Sequence, residues 1–177
     1  SVVLGNLIAI AQTNIKRMLA YSLVANMGYL LLGFIGGGVT GYSAALTYAV
    51  VYVINSLVSF GVLVALSGAG AEFETIDDLR GLNARSPWYA FLMLIAMFSL
   101  AGIPPTLGFW AKLLVIESLI SVGYTWLAVI AIMAALVGAY YYLRVVRVMY
   151  FAEPQERSIA LPSRPLTAVL SLNALAV

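Results

Sequence analysis

The sequence predicts an all-α polytopic membrane protein: about five full transmembrane helices and a truncated sixth, with the fourth helix discontinuous at Gly102–Thr106. Three observations predict it. The chain of 177 residues is 63% hydrophobic and 9% charged, against roughly 25% charged in ordinary soluble domains. No charged side chain occurs from Met18 to Ala71, from Ser86 to Ala111, or from Ser118 to Leu143. A helical span needs about 20 mainly apolar residues, so each run accommodates at least one. The run Leu127–Val137 does not alternate polar and apolar residues as a barrel strand would.

The elements follow in order. The first span covers roughly 1–15 and is itself cut. The second runs about 20–36 and ends at Gly36-Gly37-Gly38. The third, about 43–66, ends at Ser67-Gly68. A polar loop over 69–86 carries Glu72, Glu74, Asp77, Asp78, Arg80 and Arg85, and reads as a solvated surface that meets a neighbour. The fourth segment is 87–121, interrupted at 102–106, and Ser121–Tyr124 is a short turn. The fifth span is about 125–150. A loop with Pro154, Pro162 and Pro165 leads into the sixth, which stops at Val177. The chain opens inside an apolar run without an initiator methionine or a signal layout, and reads as an internal piece of a longer protein.

Basic residues test the layout. The 1/2, 3/4 and 5/6 connections, with their adjoining helix ends, hold Lys16, Arg17, Arg80, Arg85, Arg144, Arg147, Arg157 and Arg164. These are eight of the nine basic residues, all on one face, which should be cytoplasmic or its organellar equivalent. If Gly102–Thr106 were an ordinary loop between two spans, the later arginines would change sides and the bias would vanish. A single interrupted crossing is therefore expected. Arg144 and Arg147, after Tyr140-Tyr-Tyr142, read as interface anchors.

The ninth basic residue is Lys112, just past the break. Gly102, Pro104 and Pro105 open the helix, because proline lacks a donor and clashes with the carbonyl four residues back. Backbone groups freed at membrane depth must face protein or water, so the break implies a hydrated interior. An amine beside it marks an ion or proton path. The alternative is a kinked span over 88–108, with Lys112 and Glu117 snorkelling at the far interface. Glu117 lies five residues on, about 140° round the helix, and is a poor partner for Lys112.

Polar stripes at helical spacing are path candidates. They comprise Ser22, Asn26 and Tyr29 on the second span, and Tyr48, Tyr52, Asn55 and Ser59 on the third. Such residues more often join helices than line a path. Gly28 and Gly33 suit close helix contact. Lys16 is either a boundary charge or part of a cytoplasmic entrance. With no cysteine and no histidine, the chain offers no thiolate or imidazole ligand, and it carries no nucleotide loop or nucleophilic triad. No cofactor, metal or nucleic-acid partner is expected on this chain.

Three stretches carry a resemblance. Gln12-Thr-Asn-Ile-Lys-Arg-Met-Leu-Ala-Tyr-Ser22, followed by Asn26-Met-Gly-Tyr29, resembles a signature of the antiporter-like membrane subunits of respiratory complex I. So does Ser99-Leu-Ala-Gly-Ile-Pro-Pro-Thr-Leu-Gly-Phe-Trp-Ala-Lys112, and Tyr140–Tyr150 narrows it to the subunit N type. The resemblance implies about fourteen helices in two inverted repeats, each with one broken helix. Residues 1–150 would be the second five-helix repeat, 151–164 a cytoplasmic-side loop, and 165–177 the start of the last helix. It further implies that Lys112 handles protons and that Lys16 is a signature lysine. Electron transfer from NADH to quinone would occur in other subunits, in a bacterial inner or organellar inner membrane. Partners would be the other membrane subunits and lipid. The rival assignments are a subunit of a sodium/proton antiporter or membrane-bound hydrogenase, and a pure scaffold. Where many members have a second serine and a histidine, this chain has Leu23 and Asn26, and an asparagine cannot carry a proton.

Overall fold

A computed structural model describes residues 1–67, 72–154 and 164–177. Eight α-helices appear among them. Helix α1 is Val2–Ile10, α2 Ile15–Gly36, α3 Gly38–Leu66, α4 Leu82–Arg85, α5 Pro87–Ala101, α6 Leu107–Ser121, α7 Thr125–Phe151 and α8 Arg164–Leu175. Helices α2, α3 and α7 are long and apolar enough to cross a membrane. Helices α5 and α6, 15 residues each, form the expected interrupted fourth crossing. Helix α1 has nine residues, about 14 Å at a rise of ~1.5 Å per residue, and does not span a ~30 Å hydrocarbon layer. The bundle is apolar outside as well as inside: Leu46, Val64, Trp126 and Leu136 are each more than 60% exposed. That pattern suits a lipid solvent.

The described basic connections meet at one end. Asn14 caps α2, its side chain accepting from the Arg17 amide at 3.0 Å, and its neighbours pair with residues after α3. The Ile15 amide donates to Glu74 O at 2.8 Å and the Ile76 amide to Thr13 O at 2.9 Å. Gly81 N–H donates to Val148 O at 3.1 Å, and Arg144 reaches Gln12 O at 3.4 Å. At the other end Gly36 of α2 lies so close to Ser118 of α6 that an added Cβ would stand 2.6 Å from its hydroxyl. So α5 starts on the basic face and α6 ends on the opposite one, a single crossing as the charge distribution requires. Arg157 and the side chain of Arg164 lie outside the described residues, as does Pro162.

Some segments differ from expectation, and α2 begins at Ile15 rather than about 20. Helix α3 begins at Gly38 rather than near 43, because Gly37 and Gly38, both at φ near +60°, complete the turn alone. Pro165 sits in the first turn of α8, where its missing donor is harmless. The 69–86 segment is more than a solvated loop. Residues 68–71 are outside the described set, but Phe73, Ile76, Leu79 and Leu82 are buried at 0–3% exposure. Their spacing of three places one apolar edge under the bundle while the acids face out. A 3₁₀ turn over Ile76–Leu79 is held by a capping box: Thr75 accepts from the Asp78 amide, and Asp78 accepts from the Thr75 amide at 2.7 Å. Arg85 donates to the Asp78 and Arg80 carbonyls at 3.1 and 2.9 Å. Thr75→Ala is expected to cost about 1 kcal/mol, the usual value of a cap, read as a lower melting temperature of the purified protein.

Helices α1 to α3 approach closely through small residues. A Cβ on Gly5 would lie 2.5 Å from the Ala25 amide nitrogen, and one on Gly33 2.9 Å from Ala45 Cβ. Packing of this kind replaces the hydrophobic drive that lipid cannot supply.

Candidate functional site

The break is built by simple arithmetic. In a continuous helix the carbonyls of Leu100 and Ala101 would accept from the amides of residues 104 and 105. Both positions are proline and have no N–H, so two adjacent carbonyls are orphaned at mid-crossing. Gly102, at φ 83°, turns the chain out of α5, its amide shared between Phe98 O and Ser99 O at 3.0 Å each. The segment turns through the cis Pro104–Pro105 peptide, and α6 starts at Leu107 after Thr106.

Lys112 takes the two orphaned carbonyls. Its Nζ donates to Leu100 O at 2.7 Å and to Ala101 O at 3.1 Å. The side chain is 8% exposed. Gly102 leaves space for it, since a Cβ there would stand 2.9 Å from Lys112 Cδ. The ring of Tyr29 lies 5.4 Å from Nζ, a cation–π distance.

Helix α6 reaches this position by lying beside the end of α5 rather than continuing its axis. Gly108 N–H donates to Ser99 Oγ at 3.0 Å, and a Cβ on Gly108 would come within 1.8 Å of Ser99 O. Only glycine allows that approach.

A hydrogen-bonded cluster from four helices surrounds the amine. Tyr48 donates to Asn26 Oδ1 at 2.6 Å, while Asn26 Nδ2 donates to Ser22 O at 2.7 Å and meets Tyr142 Oη at 3.2 Å. Tyr29 stacks on Tyr48, centroids 5.6 Å apart, and donates to Ala131 O at 2.6 Å. Tyr141 donates to Asn6 Oδ1 at 2.9 Å. Two cavities of about 10 Å³ flank Lys112. One is lined by Asn26, Tyr48, Tyr52, Asn55 and Ser99, the other by Asn6, Asn26, Tyr29, Tyr141 and Tyr142. Each has room for about one water.

The expected site residues therefore divide. Lys112, Gly102, Pro104, Asn26, Tyr48, Tyr52 and Asn55 line cavities around the amine, and Pro105 acts by its missing donor. Ser22 is buried beneath Asn26, its hydroxyl bonded to Leu19 O at 2.7 Å. Ser59 bonds back to Asn55 O at 3.0 Å. Glu117 is exposed on the outer face of α6 and does not join the cluster, because 140° of rotation turns it away. Lys16 lies at the basic end, paired with Glu72 Oε2 at 3.1 Å, both side chains substantially exposed. Lys16→Ala is expected to shift stability by less than ~1 kcal/mol, the ceiling for an exposed pair, checked by thermal melting. Asn6, Ser99, Gly108, Tyr141 and Tyr142 were not expected here. Tyr141 and Tyr142 are each 1% exposed and belong to the core; of the three tyrosines only Tyr140, 62% exposed, faces out.

Known proteins share the sequence and fold of this chain. Residues 1–138 match the sequence family described as NADH:quinone oxidoreductase/Mrp antiporter, TM. The chain belongs to this family. Among its NADH:quinone oxidoreductase/Mrp antiporter relatives, NADH-quinone oxidoreductase subunit N of Xanthomonas euvesicatoria pv. vesicatoria is 56% identical over 178 residues, covering all of this chain and 37% of the relative. A chain in the structure of respiratory complex I from Thermus thermophilus with bound aureothin superposes with a TM-score of 0.87 at 33% identity, covering 99% of this chain and 39% of that one. A chain of the Mrp complex from Dietzia sp. DQ12-45-1b superposes at 0.82 with 26% identity, covering 93% of this chain and 31% of that one. The chain thus spans a little over a third of the length of its relatives.

Proposed function

We propose that this chain is part of a proton-translocating membrane subunit of an NADH:quinone oxidoreductase, and that Lys112 is the group whose protonation cycles. The observation that carries the reading is the amine held on two proline-orphaned carbonyls at mid-crossing, between two water-sized cavities. The bonding suits a cycle. A charged amine has three N–H groups and a neutral one has two N–H groups and a lone pair. Two N–H groups stay on Leu100 O and Ala101 O in either state, so taking up or losing a proton changes only the third position. The lysine need not move and no carbonyl is left bare.

Oxidation of NADH and reduction of quinone belong to other subunits in this reading, and this chain's own part is proton handling at Lys112. Partners are the remaining membrane subunits and lipid, in a bacterial inner membrane. Asn26 has both its amide donors and its carbonyl engaged, so it holds the cluster together and does not relay a proton. The likeness to the Mrp complex favours one second reading, a sodium/proton antiporter subunit. Co-purification of flavin and iron–sulfur proteins with the full-length subunit separates the two.

The test is Lys112→Ala in the full-length subunit within the assembled complex. Quinone reduction should persist with fewer protons moved per NADH. An unchanged ratio would reject the role.

A further inference from the structure

We infer that the cavity between α3 and Lys112 holds one ordered water, anchored by Asn55 and occupying the third bonding position of the lysine amine. The inference rests on the proton-handling reading of Lys112 and assigns that group its immediate partner.

Three observations point there. Asn55 is 2% exposed, and its Nδ2 is engaged by Val51 O at 2.9 Å, yet its Oδ1 is buried with no hydrogen-bond partner among the described residues. Native proteins rarely leave such an acceptor dry and fill these positions with water. The cavity that Asn55 lines, about 10 Å³, is the size of one water and also borders Lys112, Ser99 and Tyr48. Among the polar atoms lining this cavity, Tyr48 uses its O–H on Asn26, Asn26 is engaged at both ends and Ser99 Oγ accepts from Gly108, whereas Asn55 Oδ1 is buried with no partner among the described residues. The Lys112 amine donates to two carbonyls and has three bonding positions.

The two protonation states then need the same water in two orientations. With a charged amine, Nζ donates to the water oxygen and one water O–H goes to Asn55 Oδ1. With a neutral amine, that O–H remains on Asn55 and the other turns to the nitrogen lone pair. Asn55 works as a positioning residue: it keeps one O–H occupied and so leaves a single group facing the lysine.

The experiment uses the full-length subunit in the assembled complex. A cryo-EM map fine enough to resolve buried waters should show density between Asn55 Oδ1 and Lys112 Nζ. Asn55→Leu fills the space and removes the acceptor, and should lower protons moved per NADH to the level of Lys112→Ala while quinone reduction continues. Asn55→Ser leaves room for a second water and should keep the wild-type ratio. A purely packing role predicts the reverse order, because leucine fills the site and serine leaves a hole. Absence of the density, or a wild-type ratio in Asn55→Leu alongside a low one in Lys112→Ala, overturns the water site and leaves the lysine role standing. A wild-type ratio in Lys112→Ala overturns the role beneath it.

Discussion

Replacing Lys112 with arginine is expected to stop proton translocation through this subunit while the protein still folds. The guanidinium keeps the positive charge and offers five donors, enough for the Leu100 and Ala101 carbonyls. It does not release its proton at any working pH. Transfer through the site should slow by about 10²-fold or more, the scale on which a positioned acid–base group contributes. Alanine at this position is a less clean probe. It orphans two buried carbonyls at about 1–3 kcal/mol each, so lost pumping in Lys112→Ala mixes chemistry with instability. Proton uptake and quinone reduction, measured together in vesicles carrying the assembled complex, read the difference. Arginine that pumps normally would show that position 112 needs only a charge.

Gly108→Ala is expected to be the most damaging substitution of a single methyl group in the chain. The new Cβ would lie 1.8 Å from Ser99 O and 2.6 Å from Ser99 C, both main-chain atoms with no rotamer to yield. Overpacking against side chains typically costs 1–3 kcal/mol, and here the relief requires moving α6 off α5, so about 3 kcal/mol is expected. That displacement also pulls the Lys112 amine away from Leu100 O. The variant should melt earlier and pump less, although residue 108 touches no proton. Ser99→Ala removes only one hydrogen bond and should cost about 1 kcal/mol. Thermal melting of both variants in nanodiscs checks the ordering, and equal melting temperatures would refute the close approach.

Much of this was legible before any coordinates. The uncharged runs located the crossings because charge at bilayer depth is costly, and the one-sided arginines forced 87–121 to be a single crossing. The identity of the lysine's partners was also written in the chain: subtracting four from Pro104 and Pro105 gives Leu100 and Ala101, the two carbonyls that Nζ takes. What could not be read was which faces turn inward across distance. Tyr141 and Tyr142 carry no inward signal of their own in the sequence, and their role emerges only when α7 is packed on α1 and α2. Asn6 is a lone amide in an apolar run, with no periodic partner to reveal it. Gly108 looked like one more small residue after a proline pair, because its role depends on α6 overlapping α5 sideways, which hydropathy does not encode.

The strap that joins Gly81 to Val148 has a consequence for biosynthesis. Its donor waits through 67 residues of translation for an acceptor, and Asn26 waits still longer for Tyr142. The first three helices therefore insert with the Tyr29 hydroxyl, Asn6 Oδ1 and one Asn26 amide hydrogen still awaiting their partners on α7, although Asn26 is already joined to Ser22 and Tyr48. Pairings this remote along the chain slow assembly. A chain stopped before α7 would keep those polar groups open to water inside a half-built bundle.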